Sequence, residues 1–325
     1  MKLGRRRFIQ LAANAATLAI APRIASAETY PTRPVHLIVG YPPAGFVDIT
    51  ARLVGAWLSE RLGQPFIVEN RPGASSNIGT QAALRALPDG HTLLVASNAN
   101  TYNATLYEKL DFNFIRDFAP IATVMRAPFV MAVNPSIPAR TVPEFIAYAK
   151  SVPGKINMAT AGPGSATAIF SALFQMMAGV HLVTVPYLGV GPALPDVVSG
   201  HVQVLFVPVA AALGYIRSGK LRPLGVTTVS RVDVLPDLPA IGEFVPGYRG
   251  SGWAGIGGPA NTPPEIIATL NQHVNAALAD PTFRARLLDL GTQPFANSPP
   301  EFEKFISDET AKWGKVIRQI GMRTG

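Results

Sequence analysis

The sequence predicts an α/β protein of two doubly wound domains joined by a two-strand hinge. Three observations lead there. From Val35 onward, short apolar runs alternate with segments of helical spacing, the pattern of a parallel sheet with helices on both faces. The alternation comes in two successive sets of similar build. After Gly250, three helix-like segments follow one extended run and have no sheet of their own, so their simplest home is the first set. That arrangement makes domain 1 discontinuous, 28–128 with 250–325, and leaves 129–249 as domain 2. The chain crossings near Val124–Val130 and Tyr248–Ala254 would then form the hinge.

Ahead of the first strand lies a different kind of segment. Arg5-Arg6-Arg7-Phe8-Ile9 precedes an uncharged run from Leu11 to Ala21, and Ala25-Ser26-Ala27 stands just before Glu28. This is the layout of an export signal, residues 1–27, cleaved after Ala27. The paired arginines match the twin-arginine variant, with Gly4 where Ser or Thr is usual. Removing those 27 residues from 325 leaves 298 and takes away five positive charges, so the formal charge drops from +8 to +3.

In the first set, "VHLIVG" leads to a helix with Ile49, Leu53, Trp57 and Leu58 on one face. "PFIVEN" leads through Arg71-Pro72-Gly73 to "NIGTQAALRAL", and "HTLLVAS" is the third strand. The run Ala119–Pro135, broken by Pro128, carries the chain to the second set. There Thr141 and Glu144 have capping-box spacing. "KINMATAG", "HLVTVPY", "HVQVLFVPV" and "LRPLGVTT" read as strands, separated by helix-like "TAIFSALFQMMAG", "ALPDVVSG" and "ALGYIRSGK". In the tail, "SGWAGIGGP" is extended and three helices follow, the last capped by Ser298.

Composition narrows the function. With no cysteine, disulfides, thiolate metal sites and a cysteine nucleophile are excluded. The charges outside the signal are scattered, without a basic run or aromatic-interleaved stripe, which argues against nucleic-acid binding. Around Ser75, Ser165 and Ser251 the glycines fall at the wrong offsets for a hydrolase nucleophile elbow, and the five histidines are dispersed. A secreted hydrolase is the weaker alternative, and neither a metal nor a cofactor is expected.

Two stretches stand apart: Leu37–Leu53 and Ile156–Phe174. Each is a strand, a Gly/Pro-rich loop and an apolar helix, one per domain. Such a loop presents unpaired backbone N–H groups beside a helix N-terminus, which together favour an anion. Gly45, Gly162 and Gly164 permit close approach, and Pro42, Pro43 and Pro163 stiffen the turns. Asp48 reads either as a helix cap or as a ligand contact.

The blocks "YPPAGFVDITARL", "GQPFIVENRPGASSNIGT", "PDGHTLLVAS", "VPYLGVGPALPDVVSGHV", "SGKLRPLGVTT" and "GWAGIGGPANTPPEIIATLN" resemble, in order, the signature blocks of the Bug/TctC-type solute receptors. These are the extracytoplasmic components of tripartite tricarboxylate transporters. The resemblance implies a type II periplasmic-binding-protein fold that closes on a small carboxylate, a soluble monomer in the periplasm, and membrane transporter subunits as partners. A sensor protein is the alternative partner. The first pincer would comprise Tyr41, Pro43, Ala44, Gly45, Phe46, Val47 and Asp48. The second would comprise Ala161, Gly162, Pro163, Gly164, Ser165, Ala166 and Thr167. Ser97, Asn98 and Asn100 in the loop after the third strand, Tyr187 and Gly189, and Val207 would line the rest.

Departures from the family pattern make the expected cleft less polar: Ala44 for glycine, Val47 for threonine, Ala168 for histidine, Leu188 for lysine and Val207 for aspartate. A mono- or dicarboxylate with an apolar or aromatic body therefore fits better than citrate or an amino acid, with Phe46 as a wall. N-terminal sequencing of the exported protein should begin at Glu28; a chain still beginning at Met1 would contradict the cleavage site.

Overall fold

The computed structural model describes residues 30–43 and 45–323. The export signal and Ala44 lie outside the described residues. The first sheet has the order β11-β4-β10-β3-β1-β2, with β1 Val35–Val39, β2 Phe66–Asn70, β3 Thr92–Ser97, β4 Phe118–Ala127, β10 Gly252–Pro259 and β11 Gln293–Pro294. The second has the order β7-β6-β8-β5-β9, with β5 Phe129–Val133, β6 Asn157–Thr160, β7 Val183–Pro186, β8 Val204–Pro208 and β9 Arg222–Val226.

Both sheets are mixed, where the alternation predicts parallel ones. Strands β1, β2 and β3 are parallel, but β10 runs antiparallel to β3 and β4. In the second sheet β6, β7 and β8 are parallel, and β5 runs against β8 and β9. The reversed strands β5 and β10 are the first strands after each crossing, and the two-residue β11 is also antiparallel to β4. A chain that passes straight from one sheet into the other arrives without a crossover helix to turn it round. The first crossing is at Pro128, between β4 and β5, and the return lies between β9 and β10.

Helix α1, Phe46–Leu62, buries Val47, Ala51, Val54 and Leu58. Of the expected face, Leu58 lies in that stripe, and Ile49, Leu53 and Trp57 are partly buried one step round from it. Trp57 is half-buried against the helix Pro264–Ala279, donating from Nε1 to the His273 carbonyl at 3.0 Å. The other strand-to-helix units give α2 Asn77–Leu84, α3 Asn98–Leu106, α4 Phe114–Asp117, α5 Val142–Ser151, α6 Ala166–Ala178, α7 Val190–Ser199 and α8 Val209–Arg217. The tail supplies α9 Pro264–Ala279, α10 Pro281–Asp289 and α11 Pro299–Gln319. As expected, Thr141 accepts from the Glu144 N–H and Ser298 N–H donates to Glu301.

Helix α11 does more than cover the first sheet. Its first half places Phe302 and Ile306 in a core with Ile38, Leu94, Phe118 and Trp253. Its second half places Trp313 and Ile317 in another core, with Phe129, Phe170 and Phe206 of the second unit. One helix is thus packed into the cores beneath both sheets, and the bundle of Tyr102, Phe170 and Trp313 rings at 5.4 Å spacings marks the junction.

Strand β10 fits between its neighbours because it is glycine-rich. A Cβ on Gly257 would collide with the Phe118 ring, and one on Gly255 would come within 2.6 Å of the Phe302 ring. Gly257→Ala should therefore destabilise the protein by roughly 1–3 kcal/mol through overpacking, read as a lower denaturation midpoint with an unchanged slope; wild-type stability would refute this packing.

Candidate functional site

Because β1, β2 and β3 are parallel, the segments that follow them leave the first sheet at one end; the segments after β6, β7 and β8 do the same in the second. In open α/β sheets this is where ligands bind. The two sheets meet there through the loop between β2 and α2: Ser75 Oγ donates to the Pro163 carbonyl at 3.0 Å. Phe46 packs against the cores of both units.

The first loop is held from below. Asn70, at the end of β2, donates to the Tyr41 carbonyl at 3.0 Å and to Asp48 Oδ1 at 2.9 Å. Asp48 is 2% exposed and receives Arg52 Nε and Nη2, each at 3.0 Å. Its charge is thereby neutralised within the helix, so the first turn of α1 presents its N–H dipoles without a net anion in front of them. Gly45 precedes α1 at φ −76°, ordinary for any residue. Pro43 is exposed and Val47 is buried. Among the described residues the N–H groups of Phe46 and Val47 meet no acceptor.

The second loop is shaped by its own hydroxyls. Gly162 at φ 96° and Gly164 at φ 73° occupy the left-handed region that favours glycine. Ser165 Oγ donates to the Gly162 carbonyl at 2.6 Å and accepts from the Ala168 N–H at 3.2 Å. Thr167 Oγ1 takes the Ala161 N–H at 2.7 Å. Ala161 therefore spends its donor inside the loop. The N–H groups of Gly162, Gly164, Ala166 and Thr167 meet no acceptor among the described residues.

Other expected residues are placed differently. Ser97 to Asn100 is not a loop, because α3 begins immediately after β3. Asn100 Oδ1 accepts the Ser97 N–H at 2.8 Å, Asn100 Nδ2 donates to Thr80 Oγ1 at 2.7 Å, and the residue borders a separate shallow hollow with Ala104, Tyr107 and Phe112. Asn98 is a tie between elements: Nδ2 donates to Tyr102 Oη at 2.9 Å and to the Ser251 carbonyl at 3.0 Å, while Oδ1 accepts the Trp253 N–H at 2.8 Å. Val207 is fully buried in the core with Val130, Leu205 and Ala212, where packing against the outer helices absorbs it.

Tyr41 Oη and Ser97 Oγ are 3.1 Å apart. Burial pushes the Tyr41 phenol up to about 12, with the Ser97 hydrogen bond opposing. Tyr187 donates to Asp196 Oδ2 at 2.6 Å, and that bond, followed by burial, also raises its phenol to about 12. Both side chains are therefore neutral hydrogen-bonding groups at physiological pH. Gly189 starts α7 at φ 125°, and Leu188 beside it is 98% exposed. Among the described residues no group of three or more His, Asp or Glu could hold a metal.

The residues that sequence reasoning missed are Asn70, which orders the first loop, and Ser75, which bridges to the second. The Asn at the end of "PFIVEN" was the available signal, since a polar amide closing a strand has donors and an acceptor to place. Asn98→Ala should lower stability by at least about 2 kcal/mol, because it strands the buried Trp253 N–H; a thermal or denaturant midpoint within error of wild type would show that the tie carries no weight.

Residues 50–322 match the family model described as tripartite tricarboxylate transporter family receptor. The chain is 34% identical to protein BugT of Bordetella pertussis over 311 residues, 95% of each chain. Among solved structures, an R. palustris protein with adipate is 33% identical, with a TM-score of 0.85 over 90% of this chain and 99% of that one. MatC from Rhodopseudomonas palustris with bound malate is 31% identical, with a TM-score of 0.81 over 89% of this chain and all of the other. Periplasmic binding protein BugD is 29% identical, with a TM-score of 0.82 over 91% of this chain and all of that one. The fold is that of these periplasmic binding proteins, and the chain belongs to the tripartite tricarboxylate transporter receptor family, whose members are solute receptors and not enzymes.

Proposed function

We propose that this chain captures a small carboxylate in the periplasm and hands it to the membrane subunits of a tripartite transporter. The observation that carries the reading is the pair of strand-to-helix loops, each with N–H groups that find no acceptor among the described residues, one from each sheet. An anion supplies the acceptors those donors lack and is stabilised by the two helix dipoles. Residues 28–128 with 250–325 act as one lobe and 129–249 as the other, with Trp313 and Ile317 at the end of α11 reaching into the core of the second, and the lobes close about the crossings at Pro128 and before β10. The signal is removed after Ala27, and the mature protein works as a monomer.

Charge balance favours a ligand with few charges and an apolar body. Asp48 is already paired with Arg52 and Asn70, so its carboxylate is engaged and not open to an ammonium group. Phe46 offers a half-buried ring where the two cores meet. The relatives with bound adipate and malate support a carboxylate, and adipate's methylene chain matches an apolar wall.

Thermal unfolding of the mature protein against adipate, malate, benzoate, citrate and amino acids tests the reading. A ligand at a hundred times its dissociation constant should stabilise the fold by about 2.7 kcal/mol. Adipate or an aromatic carboxylate should give the larger shift, and Phe46→Ala should weaken it several-fold while affecting malate less. A preference for citrate or amino acids would refute the assignment of ligand class.

A further inference from the structure

Building on the carboxylate reading above, we propose that the segment Gly73–Asn77 is a third arm of the ligand site, with Ser76 Oγ and Asn77 Nδ2 donating to a ligand oxygen. The segment reaches both loops. Ser75 Oγ donates to Pro163 in the second loop and lies 3.1 Å from where a Cβ on Gly164 would sit. Ser76 lies directly over Gly40, at the root of the first loop, where any side chain would collide with Ser76 Oγ.

Two polar groups in this arm are buried without partners. Ser76 is 1% exposed and Asn77 is 8% exposed. Neither Ser76 Oγ nor Asn77 Nδ2 has a hydrogen-bond partner among the described residues. The orientation of the Asn77 amide follows from its neighbours. The Ser75 carbonyl can only accept, so it fixes Nδ2 of Asn103 toward itself at 2.8 Å; the same Nδ2 reaches Asn77 Oδ1 at 2.7 Å, which leaves Asn77 Nδ2 as the unused donor. Donors on two consecutive residues suit an oxygen that only accepts, and a carboxylate oxygen makes the stronger bond to each.

The backbone is consistent with a built site. Gly73, Ala74, Ser75 and Ser76 have φ of 132°, 46°, 52° and 75°. Three consecutive non-glycine residues in the left-handed region are strained, and such strain persists where surrounding structure over-determines it. Here the left-handed run is what turns Ser75 toward the second loop while Ser76 faces the first.

Calorimetric titration of the mature protein with adipate, malate, benzoate and citrate tests the proposal, using wild type, Ser76→Ala and Asn77→Asp. Asn77→Asp keeps the acceptor that Asn103 uses and replaces only the unused donor. Each variant should bind the ligand preferred by wild type at least tenfold more weakly, with an unliganded melting temperature close to wild type. Both variants binding within twofold of wild type would overturn the third arm while leaving the receptor reading intact. Wild type binding no carboxylate would overturn the receptor reading and the arm with it. Should Asn77→Asp fail to fold, Ser76→Ala and a crystal structure of the wild-type complex decide: a ligand oxygen within about 3.2 Å of Ser76 Oγ or Asn77 Nδ2 supports the arm, and one beyond about 4 Å from both overturns it.

Discussion

The N–H groups in the first turn of an α-helix have no partner inside that helix. In this protein that constraint falls at α1 and α6, which begin where parallel strands of two different sheets end. The residues around them keep those donors available. Asn70 pins the first loop through Tyr41 and Asp48, and Arg52 cancels the Asp48 charge that would otherwise repel an anion. Ser165 and Thr167 fold the second loop on its own hydroxyls. The proposed grip on a carboxylate rests on dipoles of the backbone, so it needs no lysine or arginine in the cleft.

A proposed site whose one charged pair, Asp48 with Arg52, is already closed on itself has a consequence for selectivity. In the proposed grip, backbone donors hold one carboxylate group, and what would distinguish ligands is the remainder of each molecule. Phe46 touches both cores, and Leu188 stands exposed beside the second loop. These apolar surfaces reward methylene or aromatic carbon and offer nothing to a third carboxylate or an ammonium. The long helix α11 is packed into the cores beneath both sheets and so ties the two together.

Much of this architecture was legible in the sequence. The two Gly/Pro-rich loops, the break at Pro128 and the caps at Thr141 and Ser298 are local signals, set by residues within a few positions of one another. What could not be read depends on partners far away in the chain. Asn98 looks like a loop residue until Ser251 and Trp253, over 150 positions away, are folded against it. Val207 lies one residue from the end of β8, and its burial is decided by helices that cover the second sheet. The reversed strand β5, FVMAV, is as apolar as the parallel ones, and the glycines of β10 answer to close packing, so direction left no trace in pattern. The left-handed run at Ala74–Ser76 is the sharpest case, because nothing in Ala-Ser-Ser announces positive φ.

Amide proton shifts and hydrogen exchange of the mature protein, followed residue by residue with and without its best-binding carboxylate, test the proposed grip most directly. Backbone capture from both lobes predicts that Phe46 and Val47 on one side, and Gly162, Gly164 and Ala166 on the other, shift downfield and gain protection together at the ligand concentration that saturates binding. Changes confined to one loop, or centred on the hollow beside Ala104 and Tyr107, would contradict it.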